Sequence, residues 1–292
     1  MKRRTFIQQS AFAATGGILL PSLISCKTPA HEKPIGIQLY TLKDIILKDV
    51  KGTLQQVAKI GFKELELYGH NDGKVFNMPY AEFKAMASDL GLKIVSGHYM
   101  TGQAFPTMKG TLVNEWERAV DDAAKAGQQY MVIAWLHPEE RKTMDGYKRV
   151  IDLMNNANET CRKAGITLGY HNHEFEFIPV DGEVPYTVMV AGMDPSIILE
   201  LDIYWSTFAE VDALELFRKN KGRIHLWHVK DMDKTDRKLQ TDVGSGSIDY
   251  KSIFAAADQS GMKHFFLEQE YFTKPQIEAI SQGFKHLSII IS

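Results

Sequence analysis

The sequence has little cysteine, no long basic segment and no uninterrupted apolar run of membrane-spanning length. Its two cysteines, Cys26 and Cys161, are too few for a disulfide framework. A formal net charge of −2 without basic clusters argues against a nucleic-acid-binding protein, which needs a concentrated positive surface. No GxGxxG segment follows the first apolar run, so the dinucleotide fingerprint is missing. A small molecule is therefore the expected partner.

Residues 1–26 have the features of an export signal, because a basic start precedes an apolar stretch and small residues. The apolar stretch 11–24 contains two glycines and a proline and is shorter than the ~20 residues that span a bilayer. "RRTFIQ" resembles the twin-arginine motif, and "LISC" resembles a lipoprotein signal that acylates Cys26. The alternative is a basic, disordered tail. We predict Tat-dependent export, giving a periplasmic protein or a lipoprotein attached to the membrane only through Cys26.

Residues 27–292 are the predicted folded domain, and they are close in number to the ~250 residues typical of one eight-fold barrel. A repeated unit runs through them: an amphipathic helix, a glycine and a short apolar run, as in "VAKIGFKELEL", "AAKAGQQYMVI" and "CRKAGITLGY". The predicted strands are Ile35–Leu42, Lys63–Tyr68, Lys93–His98, Tyr130–Trp135, Ile166–His171, Ile197–Asp202, Arg223–Val229 and Lys263–Glu268. The predicted helices are Val50–Ile60, Tyr80–Leu90, Asn114–Ala126, Gly146–Ala164, Ala213–Asn220, Tyr250–Ser260 and Pro275–Leu287.

Strands that alternate with helices indicate an α/β protein with a parallel sheet. Eight such units most simply close into a single-domain (β/α)8 TIM barrel, although an open doubly wound sheet has the same local pattern. Cys161 falls on a predicted helix, where we expect it to fill the core. The Gly-rich segment "VGSGSID", Val243 to Asp249, follows no strand directly and gives little support for a phosphate site.

Titratable and polar side chains collect at the predicted strand ends, where TIM barrels carry their functional groups. Burying several carboxylates and imidazoles together is costly unless a cation compensates them. Carboxylate and imidazole ligands without thiolate suit one divalent ion, Mn²⁺, Co²⁺, Mg²⁺ or Zn²⁺. Asp202, His228 and Glu268 fall on three consecutive predicted strands and His171 on the strand before them, so four neighbouring strand tips can converge on one ion.

Five strings in order, "YHNHEFEF", "ELDIYW", "HVKDMD", "VGSGSIDYKSIF" and "LEQE", resemble the sugar phosphate isomerase/epimerase family of xylose-isomerase-like TIM barrels. The resemblance implies a divalent-metal site with Asp202, His228 and Glu268 as ligands. His171 occupies the place where many relatives have the fourth ligand, a glutamate. In the epimerases the two ligand glutamates also form the acid–base pair, so this departure bears on two-base epimerisation.

The "YHNH" string resembles a subgroup of lyases and hydratases that act on 3-keto-glucosides. The predicted function is therefore metal-dependent enolisation of a keto- or aldo-sugar, by an isomerase or epimerase, with a 3-keto-glycoside 1,2-lyase or hydratase as the alternative. A hypothesis of another class is a non-catalytic lipoprotein that binds carbohydrate. The small-molecule partner is a sugar in each case.

The remaining candidates have roles in proton transfer or substrate binding. The catalytic candidates are Glu268, His173, Glu176 and Lys230. The substrate-binding candidates are His98, Glu66, Gln38, Tyr40, His137, Trp205 and Glu174. Three alternatives stay open at this stage: Glu270 could replace Glu268 as the ligand, His171 could support the ligands without binding the ion, and Glu174 and Glu176 could be surface carboxylates.

Overall fold

Eight parallel strands form a closed barrel in the computed structural model, which describes residues 33–292. The predicted export signal and Cys26 lie outside the described residues. The barrel strands are β1 (Gly36–Gln38), β2 (Glu64–Leu67), β3 (Lys93–Met100), β4 (Tyr130–Trp135), β5 (Thr167–His171), β6 (Ile198–Asp202), β7 (Ile224–Val229) and β8 (His264–Leu267). Each strand pairs with the next in the chain, and β8 closes the barrel on β1 through Gly36 and Phe266. The predicted single-domain TIM barrel is confirmed.

Helices connect successive strands on the outside of the barrel. They span Lys43–Ile46, Val50–Ile60, Tyr80–Asp89, Trp116–Ala126, Met144–Lys163, Pro185–Gly192, Ile203–Phe208, Ala213–Lys219, Tyr250–Ala255, Ala257–Ser260 and Gln276–Ile291. Two short hairpins, Lys74–Val75 with Met78–Pro79 and Asp231–Met232 with Gln240–Thr241, follow β2 and β7. Among residues 33–292, no helix combines the length and apolar character needed to cross a bilayer.

The helix Met144–Lys163 shows how local sequence produces these elements. The Thr143 side chain accepts a hydrogen bond from the Gly146 amide at 3.2 Å and so caps the first turn. The buried face repeats at helical spacing through Val150, Met154 and Cys161. Cys161 is completely buried in the core, as the sequence predicts.

The barrel interior contains an apolar layer that supports the polar residues beyond it. Val95, Tyr130, Val132, Ile198, Leu226 and Phe266 form a buried cluster separate from the main core. Side chains on one face of a strand recur every second residue. Glu200, His228 and Glu268 each follow a member of this cluster by two residues, namely Ile198, Leu226 and Phe266. These three titratable side chains therefore lie on the same strand faces as the cluster.

The predicted strand Ile35–Leu42 is wrong in its second half. β1 ends at Gln38, whose side-chain oxygen accepts a hydrogen bond from the Tyr40 amide at 3.0 Å and starts the 3-10 turn Leu39–Leu42. The predicted helix Tyr250–Ser260 is also wrong at one point, because it divides at Ala256 into two short helices. The helices Pro185–Gly192 and Ile203–Phe208 were not predicted.

The Gly-rich segment Val243 to Asp249 wraps around a carboxylate of the protein itself. The amides of Gly244 and Gly246 donate to Asp231 Oδ2 at 2.8 and 2.9 Å, and the Ile248 amide donates to Oδ1 at 3.2 Å. The Met232 amide completes the set at 2.9 Å. Four backbone donors therefore hold Asp231, and the loop is structural in this position.

Candidate active site

A cavity of about 590 Å³ opens at the carboxyl ends of the barrel strands. Its polar lining residues include His98, His171, His173, Lys230, Glu268 and Glu270. Its aromatic and apolar lining residues include Tyr40, Tyr68, Met100, Met108, Trp135, Phe175 and Trp205. A cavity with this position and this mixed lining is suited to a small organic ligand.

Three of the four predicted metal ligands form one group beside the cavity, and His171 lies next to one of them. Asp202, His228 and Glu268 each offer one ligand atom, and these atoms lie within 4.8 Å of one another. His228 Nδ1 is 2.6 Å from Glu268 Oε2, and His171 Nε2 is 3.6 Å from Asp202 Oδ2. His171 and Glu268 line the cavity, whereas Asp202 and His228 are completely buried beside them.

Lys230 places a buried ammonium group among three carboxylates. Its Nζ lies 3.0 Å from Asp202 Oδ2, 2.9 Å from Glu268 Oε2 and 2.8 Å from Glu270 Oε1. Burial opposes ionisation of Lys230, but these carboxylates outweigh it and hold the lysine pKa well above its usual value. Burial likewise opposes ionisation of Glu268, but Lys230 and His228 outweigh it and lower the glutamate pKa. Lys230 and Glu268 are therefore both charged.

Glu200 is a central residue of the site that the sequence analysis did not assign. Three imidazole nitrogens approach its Oε2 atom: His98 Nε2 at 2.9 Å, His171 Nδ1 at 3.0 Å and His228 Nε2 at 3.5 Å. These four residues form a second group whose ligand atoms lie within 4.8 Å of one another. A signal was present in the sequence, because Glu200 precedes Asp202 by two residues and so shares its face of β6.

Glu66 is buried beside two of the histidines that approach Glu200, and we call these two carboxylates the buried layer. Glu66 Oε2 accepts a hydrogen bond from Gln38 Nε2 at 2.8 Å and lies 2.5 Å from His228 Nε2 and 3.2 Å from His98 Nε2. Burial lowers the pKa of His98, but Glu66 and Glu200 outweigh it and raise that pKa to about 9. Burial, reinforced by Glu66, raises the pKa of Glu200 to about 7.

Not every predicted substrate-binding residue reaches the cavity. Tyr40, His98, Trp205 and Glu174 line it. Gln38 and Glu66 do not, because they are completely buried and hydrogen-bonded to each other. His137 does not line it either, because its Nδ1 accepts from the Glu139 amide at 3.3 Å and begins the 3-10 turn Pro138–Glu140.

Of the predicted catalytic residues, Glu268, His173 and Lys230 line the cavity and Glu176 does not. The Tyr170 hydroxyl donates to Glu176 Oε1 at 2.5 Å, and the His173 amide donates to Oε2 at 2.8 Å. Both oxygens are therefore engaged inside the protein, and this position suits a residue that holds the His173 segment in place. Burial raises the pKa of Glu176 to about 7 despite these two donors.

We expect Glu176→Gln to remove a pH-dependent loss of stability. The native-state pKa of about 7 exceeds the usual 4.5, so the native protein binds the proton more tightly. This group's contribution to stability is complete below pH 4.5 and is lost as the pH rises through 7, at a cost of about 3 kcal/mol. Urea unfolding at pH 5 and pH 8 should show the variant gaining stability relative to the wild type at the higher pH. Exposed Glu82→Gln is the control, and parallel curves for Glu176→Gln and wild type would contradict the assignment.

His173 is held by ring contacts. Its imidazole stacks on Phe175 with centroids 5.2 Å apart and an interplanar angle of 5°, and the Arg141 guanidinium lies 3.6 Å from the Phe175 centroid. Within the described residues, His173 Nδ1 is buried without a hydrogen-bond partner. Burial, reinforced by the charge of Lys230, keeps the His173 pKa well below its usual value, so the ring is neutral. Arg141 and Tyr68 also line the cavity and were not among the candidates. Arg141 lies in a loop, where no periodic pattern marks it, whereas Tyr68 directly follows β2 and could have been selected because it comes two residues after Glu66.

The closed (β/α)8 barrel makes this chain a TIM-barrel protein. Its titratable groups lie at the carboxyl ends of the strands, where enzymes of this fold have their active sites. Within this class, the chain belongs to the xylose isomerase-like TIM barrel family, which matches residues 54–289. The family resemblance seen in the sequence is therefore confirmed. The 3-keto-glucoside lyase subgroup stays a prediction.

Solved structures give the same result. A sugar phosphate isomerase/epimerase from Parabacteroides distasonis ATCC 8503 has 29% identity and a TM-score of 0.76, over 87% of this chain and 97% of its own. A second one from that organism has 26% identity and a TM-score of 0.76, over 92% and 98%. A xylose isomerase-like TIM barrel protein from Mycobacterium smegmatis, in complex with magnesium, shares the fold at 16% identity and a TM-score of 0.65, over 89% and 97%. A comparison with the curated proteins gives no match.

Proposed function

We propose that the chain is a divalent-metal-dependent enzyme that enolises a keto- or aldo-sugar, as an isomerase or epimerase. The observation that carries the proposal is the group of Asp202, His228 and Glu268 beside the cavity, with His171 Nε2 3.6 Å from Asp202 Oδ2. The names of the two Parabacteroides relatives, sugar phosphate isomerases/epimerases, support the substrate class.

The donor set fits a divalent ion. Two imidazoles and two carboxylates without thiolate suit Mn²⁺, Co²⁺, Mg²⁺ or Zn²⁺, and the Mycobacterium relative was solved with magnesium. Asp202 Oδ2 is buried and makes no hydrogen bond within residues 33–292. It forms an ion pair with Lys230 Nζ at 3.0 Å. A buried carboxylate oxygen with spare capacity is what a ligand requires.

The bound ion would supply Lewis-acid stabilisation of negative charge on a substrate carbonyl oxygen. Removal of the proton on the adjacent carbon needs a base inside the cavity, and two lining residues can take it. His173 is neutral and its Nδ1 has no hydrogen-bond partner within the described part of the chain, and Glu268 is ionised. The Lys230 ammonium adds positive charge near the same carboxylates, and His98 can donate to a sugar hydroxyl.

The second candidate, a 3-keto-glycoside 1,2-lyase or hydratase, is favoured by the size and lining of the cavity. Its volume of about 590 Å³ lies within the ~300–1,000 Å³ range of pockets that hold drug-sized ligands. Its aromatic and methionine lining residues offer apolar surface on which a second ring or aglycone can lie. The same enolisation would then expel the glycosidic oxygen.

One experiment separates these proposals. We expect the full purified chain to contain one divalent ion, to lose turnover in EDTA and to exchange the carbon-bound proton beside a sugar ketone with D₂O, as read by NMR. Release of an aglycone from a 3-keto-glycoside would identify the lyase, and a changed stereocentre in an intact sugar would identify the epimerase. Stoichiometric sugar binding without deuterium exchange would instead identify a carbohydrate-binding protein. Undiminished turnover in metal-free protein would refute the mechanism.

A further inference from the structure

Two of the proposed ligands, His171 and His228, lie between carboxylates, with a different carboxylate beside each of their two ring nitrogens. His171 Nε2 lies 3.6 Å from Asp202 Oδ2, and its Nδ1 lies 3.0 Å from Glu200 Oε2. His228 Nδ1 lies 2.6 Å from Glu268 Oε2, and its Nε2 lies 2.5 Å from Glu66 Oε2. Each imidazole therefore has one nitrogen facing a proposed ligand carboxylate and the other facing a carboxylate of the buried layer.

We propose that Glu200 and Glu66 are positioning residues that set the tautomers of His171 and His228. A neutral imidazole has one N–H and one lone pair, and a carboxylate beside one nitrogen retains the proton there. Glu200 would keep the proton on His171 Nδ1, and Glu66 would keep it on His228 Nε2. The lone pair of His171 then lies on Nε2, on the side of Asp202. His228 Nδ1 is hydrogen-bonded to Glu268 Oε2 at 2.6 Å, and the proton of that bond would leave when an ion binds on that side. This inference rests on the proposed metal-dependent function.

The two carboxylates have the rigidity that such a role requires. Glu66 is 0% exposed and Glu200 is 1% exposed. Gln38 Nε2 donates to Glu66 Oε2 at 2.8 Å, which fixes this carboxylate from the side of β1. His98 Nε2 lies 2.9 Å from Glu200 Oε2 and 3.2 Å from Glu66 Oε2, so one imidazole connects both. His98 is thus hydrogen-bonded to Glu200 and within ion-pair distance of Glu66.

A second cation in the group of His98, His171, Glu200 and His228 is the competing interpretation. The contacts favour imidazoles that donate hydrogen bonds to Glu200 and Glu66, because each of the three imidazoles already has one of these carboxylate oxygens within 3.0 Å. Two ions would also require His171 and His228 to offer lone pairs on opposite sides at once, which a neutral imidazole cannot do. The two interpretations differ in the number of ions per chain.

The test is the affinity of the full chain, cleared of metal with EDTA, for Mn²⁺ and for Zn²⁺ by titration calorimetry. We expect Glu200→Gln to bind about 10- to 100-fold more weakly than the wild type while keeping one ion per chain. Glu66→Gln should act in the same way through His228, and it serves as the second variant if the first does not fold. Glu64→Gln is the matched control, because Glu64 Oε2 pairs with His264 Nδ1 at 2.7 Å at the opposite end of the barrel. Its affinity should equal that of the wild type.

A second readout separates positioning from a general structural role. Long-range ¹H–¹⁵N NMR of the zinc-loaded wild type should show protons on His171 Nδ1 and His228 Nε2. Glu200→Gln should change the signals of His171 and His98 most and leave the proton on His228 Nε2, which also faces Glu66. Unchanged affinity in both glutamine variants, or the opposite tautomers, would overturn the inference. Two ions in the wild type, with one lost in Glu200→Gln, would establish the second cation site instead. A wild type that binds no ion would refute the proposed function and the positioning role together.

Discussion

Asp202→Asn is expected to remove the divalent ion and to lower turnover by about 10³-fold or more. A neutral amide is a poor ligand, and the loss of Lewis-acid stabilisation of roughly 4 kcal/mol corresponds to that factor. Asparagine is the informative substitution because Asp202 also caps the helix Ile203–Phe208. Its Oδ1 accepts from the Trp205 amide at 3.0 Å, and an asparagine oxygen can keep that bond. Metal content by mass spectrometry and the rate of deuterium exchange measure the two effects separately.

Asp212→Asn is the matched control for this experiment. Asp212 caps the helix Ala213–Lys219 in the same way, with its Oδ1 2.9 Å from the Leu214 amide, but it lies on the surface. The control should retain one ion and full turnover. An Asp202→Asn protein that retained its ion and its turnover would show that Asp202 is not a ligand.

Gly246→Ala is expected to cost about 3 kcal/mol of stability. An alanine Cβ would lie 2.2 Å from Asp231 Oδ1 and 2.3 Å from the Met232 carbonyl oxygen. The backbone oxygen cannot move aside, so the segment must shift and give up the amide bonds that hold Asp231. The free energy of unfolding from urea titrations measures the loss.

Gly165→Ala separates this steric effect from backbone strain. Gly165 has a φ of +73°, which L-residues adopt at a cost of about 1 kcal/mol, but nothing lies within 4 Å of its added Cβ. We expect the control to lose about 1 kcal/mol. A Gly246→Ala protein no less stable than the control would mean that the loop does not depend on close packing around Asp231.

The order of strands and helices could be predicted because each unit has a strong local pattern, an apolar run after a helix that ends at glycine. The run Tyr130–Trp135 is continuously apolar, and the preceding helix ends at Gly127, whose φ of +87° suits glycine. The observed strand has the same first and last residues as the predicted one. The end of β1 was not readable, because Leu39–Leu42 continues the apolar pattern while a side-chain hydrogen bond from Gln38 turns the backbone.

The site was partly readable for the same reason. His171 and Asp202 end their strands and His228 is the last residue but one of its strand, so chain position alone brought them to one edge of the barrel. Glu176 looked equivalent to His173, yet it faces Tyr170 inside the protein. The sequence distance between them carries no information on which side chain reaches the cavity.

The sequence by itself determined the barrel, the family and the strand tips at which charged groups gather, because periodicity and helix-ending glycines act over a few residues. Only the tertiary structure decided how those groups pair. Glu66 and His228 are far apart in the chain, and they meet because a closed barrel brings the inward-facing side chains of different strands into one small volume. Hydrogen bonding and charge pairing depend on distances in that volume, which no local pattern specifies.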